Sequence, residues 1–287
     1  MRGAGLMVLA MFLFALEDML IKIMAAALPI GQIVVMLGVG SALILAVVLR
    51  VQKQTLFSRQ LLTPAILLRA AGELVGTIGF ITAIVLIPLS TASAILQATP
   101  LFVTLGAALF FNEPVGWRRW TAILVGFLGV LLIIRPGLEG FSWASLFALQ
   151  GVIGLGLRDL ATRRVPAETS SLQLSFWAFL VLIPAAGLMM WGHDEGFIAP
   201  DPAVYLYFTA ALLIGIAAYY SIVAAMRVGE LSFVSPFRYS RILFALAIGI
   251  AVFGERPDLL TLLGATVIVA SGLYTLWREQ RVRSARH

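Results

Sequence analysis

The chain has 287 residues, of which 61% are hydrophobic and 12% charged, about half the charged share (about 25%) of an ordinary soluble domain. A soluble core does not hide this much apolar surface, so lipid is the expected solvent, and the net charge of +6 is read as membrane topology rather than nucleic-acid binding. There is no cysteine, which excludes disulfides, thiolate metal sites and cysteine nucleophiles.

A helix needs about 20 apolar residues to cross a hydrocarbon core about 30 Å thick. Polar breaks delimit ten such runs, at 5–26, 30–49, 61–87, 91–111, 117–134, 142–164, 171–191, 203–225, 231–253 and 259–277. The first carries Glu17, Asp18 and Lys22, and ends in Ala25–Ala27, which fits a signal cleavage site. The two carboxylates interrupt the apolar run, so it is read as a retained span. The third carries Arg69 and Glu73 and a Gly72-x-x-x-Gly76 spacing that favours close helix packing. In the fourth, Gln97 and Thr99 precede Pro100, which frees a backbone carbonyl one turn earlier. The sixth holds Arg158, Asp159 and Arg163, the seventh Trp177, the eighth Tyr219 and Tyr220, and the ninth Arg238 and Arg241. His193 falls in the polar loop 191–202 and His287 is the last residue, neither with a metal-ligand partner at useful spacing.

With the N-terminus inside, 13 Lys and Arg residues fall on the inner side and two, Arg135 and Arg256, on the outer. The split places both termini in the cytoplasm. The two halves align. At an offset of 141, Leu16, Asp18 and Lys22 match Leu157, Asp159 and Arg163; at 142, Leu89–Ser90, Ser93, Leu101–Phe102, Phe111 and Glu113 match Leu231–Ser232, Ser235, Leu243–Phe244, Phe253 and Glu255. Each half holds five spans, and an odd number turns the second half upside down. The expected fold is therefore all-α and integral to the membrane: ten transmembrane helices as two inverted-topology five-helix repeats, residues 1–137 and 141–287, with a site near the midplane.

The stretch ATPLFVTLGAALFFNEPVGWRRWTAILVGFLGVLLIIRPG at 98–137 has Pro early in the fourth helix, a Glu-Pro break, and a Gly-rich helix ending in Arg-Pro-Gly. LFALAIGIAVFGERPDLLTLLGATVIVASGLYTLW at 243–277 repeats the pattern with Glu-Arg at the break. In these features the whole chain resembles the drug/metabolite transporter superfamily in its ten-helix EamA-type branch, which includes YddG-type amino-acid exporters and carriers that import riboflavin or S-adenosylmethionine. The resemblance implies a secondary transporter of the inner (plasma) membrane. Its cargo would be an amino acid or similar small metabolite, with export favoured over vitamin or cofactor uptake. No cofactor, metal, nucleic acid or obligate protein partner is implied beyond solute and bilayer, and coupling to protons is left open.

Charge at membrane depth costs roughly 2.5–3.5 kcal/mol per residue on insertion scales, so it is expected to be paired or functional. Asp18 and Lys22 share a helix face, as do Arg69 and Glu73. Lys22 and Arg163 lie near span ends and are read as snorkelling anchors. Asp18 and Asp159 are deeper, divided between inter-helix contact and a cavity or coupling role, and Asp18, like Glu73, is a candidate to face a substrate amine. Glu17 and its equivalent Arg158 have opposite signs and are candidates to pair across the pseudo-axis. Glu73 is a self-satisfied pair with Arg69 or a proton or substrate-amine site. Arg238 and Arg241 either pair with Asp18, Asp159 or Glu17 or receive a substrate carboxylate. Gln97 and Thr99 are polar lining candidates, and Trp177, Tyr219 and Tyr220 either stack on substrate or pack the core.

No GxxxxGK[ST], GxSxG or HExxH pattern occurs, which argues against ATP drive and hydrolytic chemistry in this chain. A membrane-embedded enzyme wants an Asp-rich or His–Asp surface motif, and a channel wants charge rings or a filter repeat. The sequence offers neither.

Overall fold

The computed structural model describes residues 2–57, 59–111, 116–166, 168–191, 196–228 and 234–284. Among the described residues, eleven α-helices follow in order: α1 (Arg2–Met24), α2 (Ile30–Val51), α3 (Pro64–Leu86), α4 (Leu89–Leu96), α5 (Thr99–Phe110), α6 (Trp117–Ile134), α7 (Ser145–Thr162), α8 (Ser171–Met190), α9 (Pro202–Val228), α10 (Ser240–Phe253) and α11 (Leu259–Ser284). Short 3-10 turns at Arg59–Leu62 and Ser235–Tyr239 complete the order. Among the described residues, nine segments are long and apolar enough to cross a membrane, with α4 and α5 forming one span and Ser235–Tyr239 and α10 another. The 18-residue α7, which contains Arg158 and Asp159, is the tenth helix of the plan. The Glu113-Pro114 break, Leu231–Ser232, His193 and His287 lie outside the described residues.

Local chemistry sets the helix ends. Pro64 begins α3, where its missing N–H is one of the orphan donors anyway. Ser170 and Gln173 form a reciprocal capping box on α8. Asp258 caps α11 by accepting the Thr261 N–H at 2.9 Å. The Arg-Pro-Gly motif closes α6: Arg135 takes a left-handed conformation (φ 53°) and Pro136 bars further helix.

The fourth span, expected as one helix over 91–111, is broken. Pro100 has no N–H for the Leu96 carbonyl, and the Thr99 hydroxyl donates to it instead at 2.6 Å. The ninth span opens with the 3-10 turn before α10. Such broken helices at membrane depth survive only where other protein groups satisfy the freed backbone.

Each helix takes its main partner from the other half of the chain. α3 packs on α7, α1 on α9, α2 on α8, α6 on α11 and α4 on α10. The Gln97 amide donates to the Tyr239 carbonyl at 3.2 Å and lies 3.4 Å from that of Arg238. Gln97 and Tyr239 are equivalent positions at the 142-residue offset. Contact between equivalents puts the pseudo-two-fold axis at the two helix breaks. Large apolar residues such as Leu43, Leu124 and Leu213 cover the outer surface, as a lipid solvent requires.

Candidate functional site

The α3–α7 interface starts from glycine. A Cβ at Gly76 would lie 2.7 Å from the Leu155 nitrogen, and one at Gly79 would lie 2.7 Å from that of Gly151. Only bare backbones approach this closely, as the Gly72-x-x-x-Gly76 spacing predicts. The approach brings charged side chains into one chain of contacts. Arg158 donates to Glu73 at 3.1 Å and to Asp159 at 2.9 Å. Arg69 lies 3.7 Å from Glu73 and Arg238 lies 3.5 Å from Asp159. Three arginines thus face two carboxylates, which leaves one positive charge in excess. Arg238 is the most exposed of these side chains, at 31%.

Asp18 and Arg241 form a separate pair at 2.6 Å that ties α1 to α10. The Arg241 guanidinium also lies over the Phe14 and Phe80 rings, 5.3 and 5.2 Å from their centroids. Both arginines of the ninth span are therefore engaged by carboxylates, the pairing alternative for these two positions.

The expected Glu17–Arg158 pair is absent. Arg158 projects from α7, whose partner is α3, and Glu73 and Asp159 take its donors. Glu17 projects from α1 toward α9, where its carboxylate fills the space over Gly215 that a Cβ would occupy. Gly215 is the repeat equivalent of Glu73, so the Glu17–Gly215 contact is the counterpart of the Arg158–Glu73 ion pair. Among the described residues Glu17 has neither hydrogen bond nor ion pair, its electrostatic neighbours being Asp18 and Arg241.

The aromatic candidates divide. Tyr219 sits one turn after Gly215 on the same face of α9, with its ring 6.0 Å from Phe14 and 5.5 Å from Phe179. Trp177 is buried and donates its indole N–H to the Leu56 carbonyl at 2.8 Å, pinning the segment after α2. Tyr220 is 71% exposed on the outer surface of α9, so this helix face turns it away from the charged residues.

Lys22 differs from its reading as a snorkelling anchor. It donates to the Ile84 and Ile87 carbonyls at 2.6 Å each and lies 4.0 Å from Glu255. Glu255 accepts the Leu89 N–H at 2.5 Å, the Ser90 N–H at 2.9 Å and the Ser90 hydroxyl at 2.6 Å. The end of α3 and the start of α4 leave carbonyls and amides without helical partners. Lys22 and Glu255 supply them, and thereby join α1, α3 and α4 to the end of α10. This latch escapes a reading of single residues, although its parts (Lys22, Leu89–Ser90 and Glu255) all recur at the repeat offset. On the opposite face Arg164 lies over Phe111, 4.5 Å from the ring centroid, as Lys22 lies 5.5 Å from Phe253.

A third contact between halves joins α6 to α11. Arg135 donates to Asp258 and also lies 3.5 Å from the Thr261 hydroxyl. The Arg135 guanidinium and then the Thr261 N–H hold the Asp258 carboxyl down at about 2.

Broken helices meeting on an inverted-repeat axis, with buried charge beside them, define a secondary-transporter architecture. Residues 1–135 and 142–277 each match the model of the EamA-like transporter family, and the chain belongs to that family. It is similar to a riboflavin transporter of Rhizobium johnstonii, with 28% identity over 72% of this chain and 68% of that one. An S-adenosylmethionine uptake transporter of Rickettsia felis is 24% identical over 70% of this chain and 67% of its own. The pseudopaline exporter CntI of Pseudomonas aeruginosa is 29% identical over 94% of both chains. A crystal structure with 18% identity superposes with a TM-score of 0.63, covering 95% of this chain and 96% of that one. That likeness concerns the fold alone.

Proposed function

We propose that this membrane transporter exports an amino acid or similar small zwitterion across the inner membrane, by rocking of its two halves about a midplane site. The observation that carries the reading is the separation of charge inside the bundle. The Arg69–Glu73–Arg158–Asp159–Arg238 chain has a positive excess, suited to a solute carboxylate. Glu17 lies against Gly215 and makes no ion pair among the described residues. A solute bearing both signs complements both regions, and a neutral one complements neither. Export is favoured because CntI, aligned over nearly the full length of both chains, is an exporter. The 13-to-2 distribution of bases supports cytoplasmic termini. The names of the relatives favour a carrier over an enzyme.

Counterflow in proteoliposomes loaded with an amino-acid mixture, riboflavin or S-adenosylmethionine tests the reading. Saturable exchange of an amino acid is expected. Exchange of riboflavin or S-adenosylmethionine alone would replace this reading by cofactor uptake. Turnover of membrane lipid without solute exchange would replace it by an enzyme. Flux indifferent to an imposed pH gradient and membrane potential would identify a uniporter or exchanger without proton coupling.

A further inference from the structure

We infer that the Glu17 carboxylate, seated on Gly215 between α1 and α9, is the subsite that receives the positively charged nitrogen of the solute. The inference rests on the proposed zwitterion reading and adds the residue that selects for an organic ammonium. It begins from the two related helix interfaces. In α3–α7 the equivalent positions hold Glu73 and Arg158, a closed ion pair at 3.1 Å. In α1–α9 the acid has moved to the other helix and its partner has become glycine. The chain thus keeps a carboxylate at this depth and removes the cation that would neutralise it.

An ionised carboxylate away from water needs a countercharge. The charged groups facing this region are accounted for from every neighbouring element. On α1 itself, Asp18 is bound to Arg241 of α10 at 2.6 Å. In the 3-10 turn before α10, Arg238 is directed to Asp159. On α3, Arg69 and Glu73 lie 3.7 Å apart, and Glu73 also holds Arg158. On α9, Tyr219 stands one turn beyond Gly215 with its ring edge-on to Phe14. No described cation forms an ion pair with Glu17, and Arg241, its cationic neighbour, is held by Asp18, which leaves the Glu17 carboxylate to a cation carried by the solute.

The surroundings fit an ammonium better than a bare metal ion. Phe14 lies three residues before Glu17 on α1 with the Arg241 guanidinium over its ring, and Tyr219 lies one turn beyond Gly215 on α9, its ring 6.0 Å from that of Phe14. Tyr219, an aromatic ring on the helix that seats the carboxylate, suits an alkylammonium through cation–π attraction. Gly215 sets the fit, since any side chain there would displace the carboxylate.

The test uses the full chain in detergent and in liposomes, with three probes on one skeleton: leucine with both charges, leucinamide with the ammonium only, and N-acetylleucine with the carboxylate only. A second series is built on lysine. Glu17→Gln is expected to weaken leucine and leucinamide by about tenfold or more, the scale of a charged hydrogen bond, while N-acetylleucine is unchanged. Gly215→Ala keeps the carboxylate but pushes on it, and should produce the same charge-selective loss. In the unaltered protein, the N-trimethylated analogue of leucinamide, which keeps the positive charge but has no amine N–H to be acylated, should protect Glu17 from carbodiimide modification, a measurement that needs no variant to fold. Equal loss across the series, no loss, or no protection overturns the Glu17 assignment and leaves the transport reading standing. A wild-type protein that binds no ammonium-bearing probe in either series overturns the zwitterion reading and this one together.

Discussion

The α3–α7 and α1–α9 interfaces are the same pair of elements taken from opposite halves, yet they are built differently. In α3–α7, Gly72, Gly76, Gly79, Gly151 and Gly154 let the backbones touch. Their equivalents in α1–α9 are Ile214, Ala218, Ser221, Ala10 and Leu13. The glycine-lined interface closes around ion pairs, whereas the bulkier one holds a lone carboxylate over a lone glycine. The two interfaces share a packing plan and differ in charge. One is a strut closed by ion pairs, and the other holds a carboxylate with no ion pair among the described residues.

Breaking the strut should have the largest effect. Glu73→Ala leaves Arg69 and Arg158 short of a countercharge, and loss of one partner from a buried pair costs about 3–5 kcal/mol. Thermal unfolding in detergent should show a large drop in melting temperature. Glu17→Gln in the same assay should show no drop, since it removes a charge that no described cation balances. An equal loss in both variants would erase the distinction between the interfaces. Gly76→Ala comes next, because it imposes on α3–α7 the residue already present at Ala218. The added methyl meets the Leu155 backbone, which has little room to yield, and overpacking of this kind costs about 1–3 kcal/mol. Unchanged stability would mean that the two interfaces tolerate the same spacing.

A smaller effect is expected at the latch. Lys22→Met leaves the Ile84 and Ile87 carbonyls without their donor, at about 1–3 kcal/mol for buried unsatisfied groups. The chain has no native cysteine, so a single cysteine at Thr91 can report opening of the start of α4. It should react faster with a thiol reagent in the Lys22→Met background. An unchanged rate would make Lys22 an anchor after all.

The smallest effect belongs to Arg135–Asp258, an exposed pair of the kind that contributes about 0–1 kcal/mol. The Asp258 carboxyl is held at about 2, below its ordinary value near 3.8. Its contribution is therefore present above pH about 4 and fades as pH falls through about 2. Asp258→Asn should narrow the difference in melting temperature between pH 5 and pH 3 without changing counterflow at neutral pH. A variant with the same pH dependence as the unaltered chain would remove Asp258 from the acid response.

Much of this is legible in the sequence. Ten apolar runs, their odd number per half and the recurring Asp18/Asp159 and Leu89–Ser90/Leu231–Ser232 positions specify an inverted repeat, because the length of a lipid-crossing helix is set by the bilayer. Pro100 marks the break in the fourth span, because a residue without an N–H cannot serve the Leu96 carbonyl. The partner of each charge was not legible in the same way. Sequence symmetry pointed Glu17 at Arg158, since both occupy the equivalent place on the first helix of each half. Those helices do not pack on each other, however, as each lies against the third helix of the opposite half. The same rule moved Lys22 from the lipid interface to the α3–α4 junction.

The sequence by itself determined the solvent, the number of spans, the repeat and the family, because these follow from composition, period and motif along one dimension. Only the tertiary structure decided that Arg158 belongs to Glu73, that Arg241 belongs to Asp18, and that Glu17 is left facing a glycine. Ion pairing is a matter of a few ångströms between helices distant in the chain. Which helices meet at that range is fixed by the glycine and alanine surfaces that let them approach.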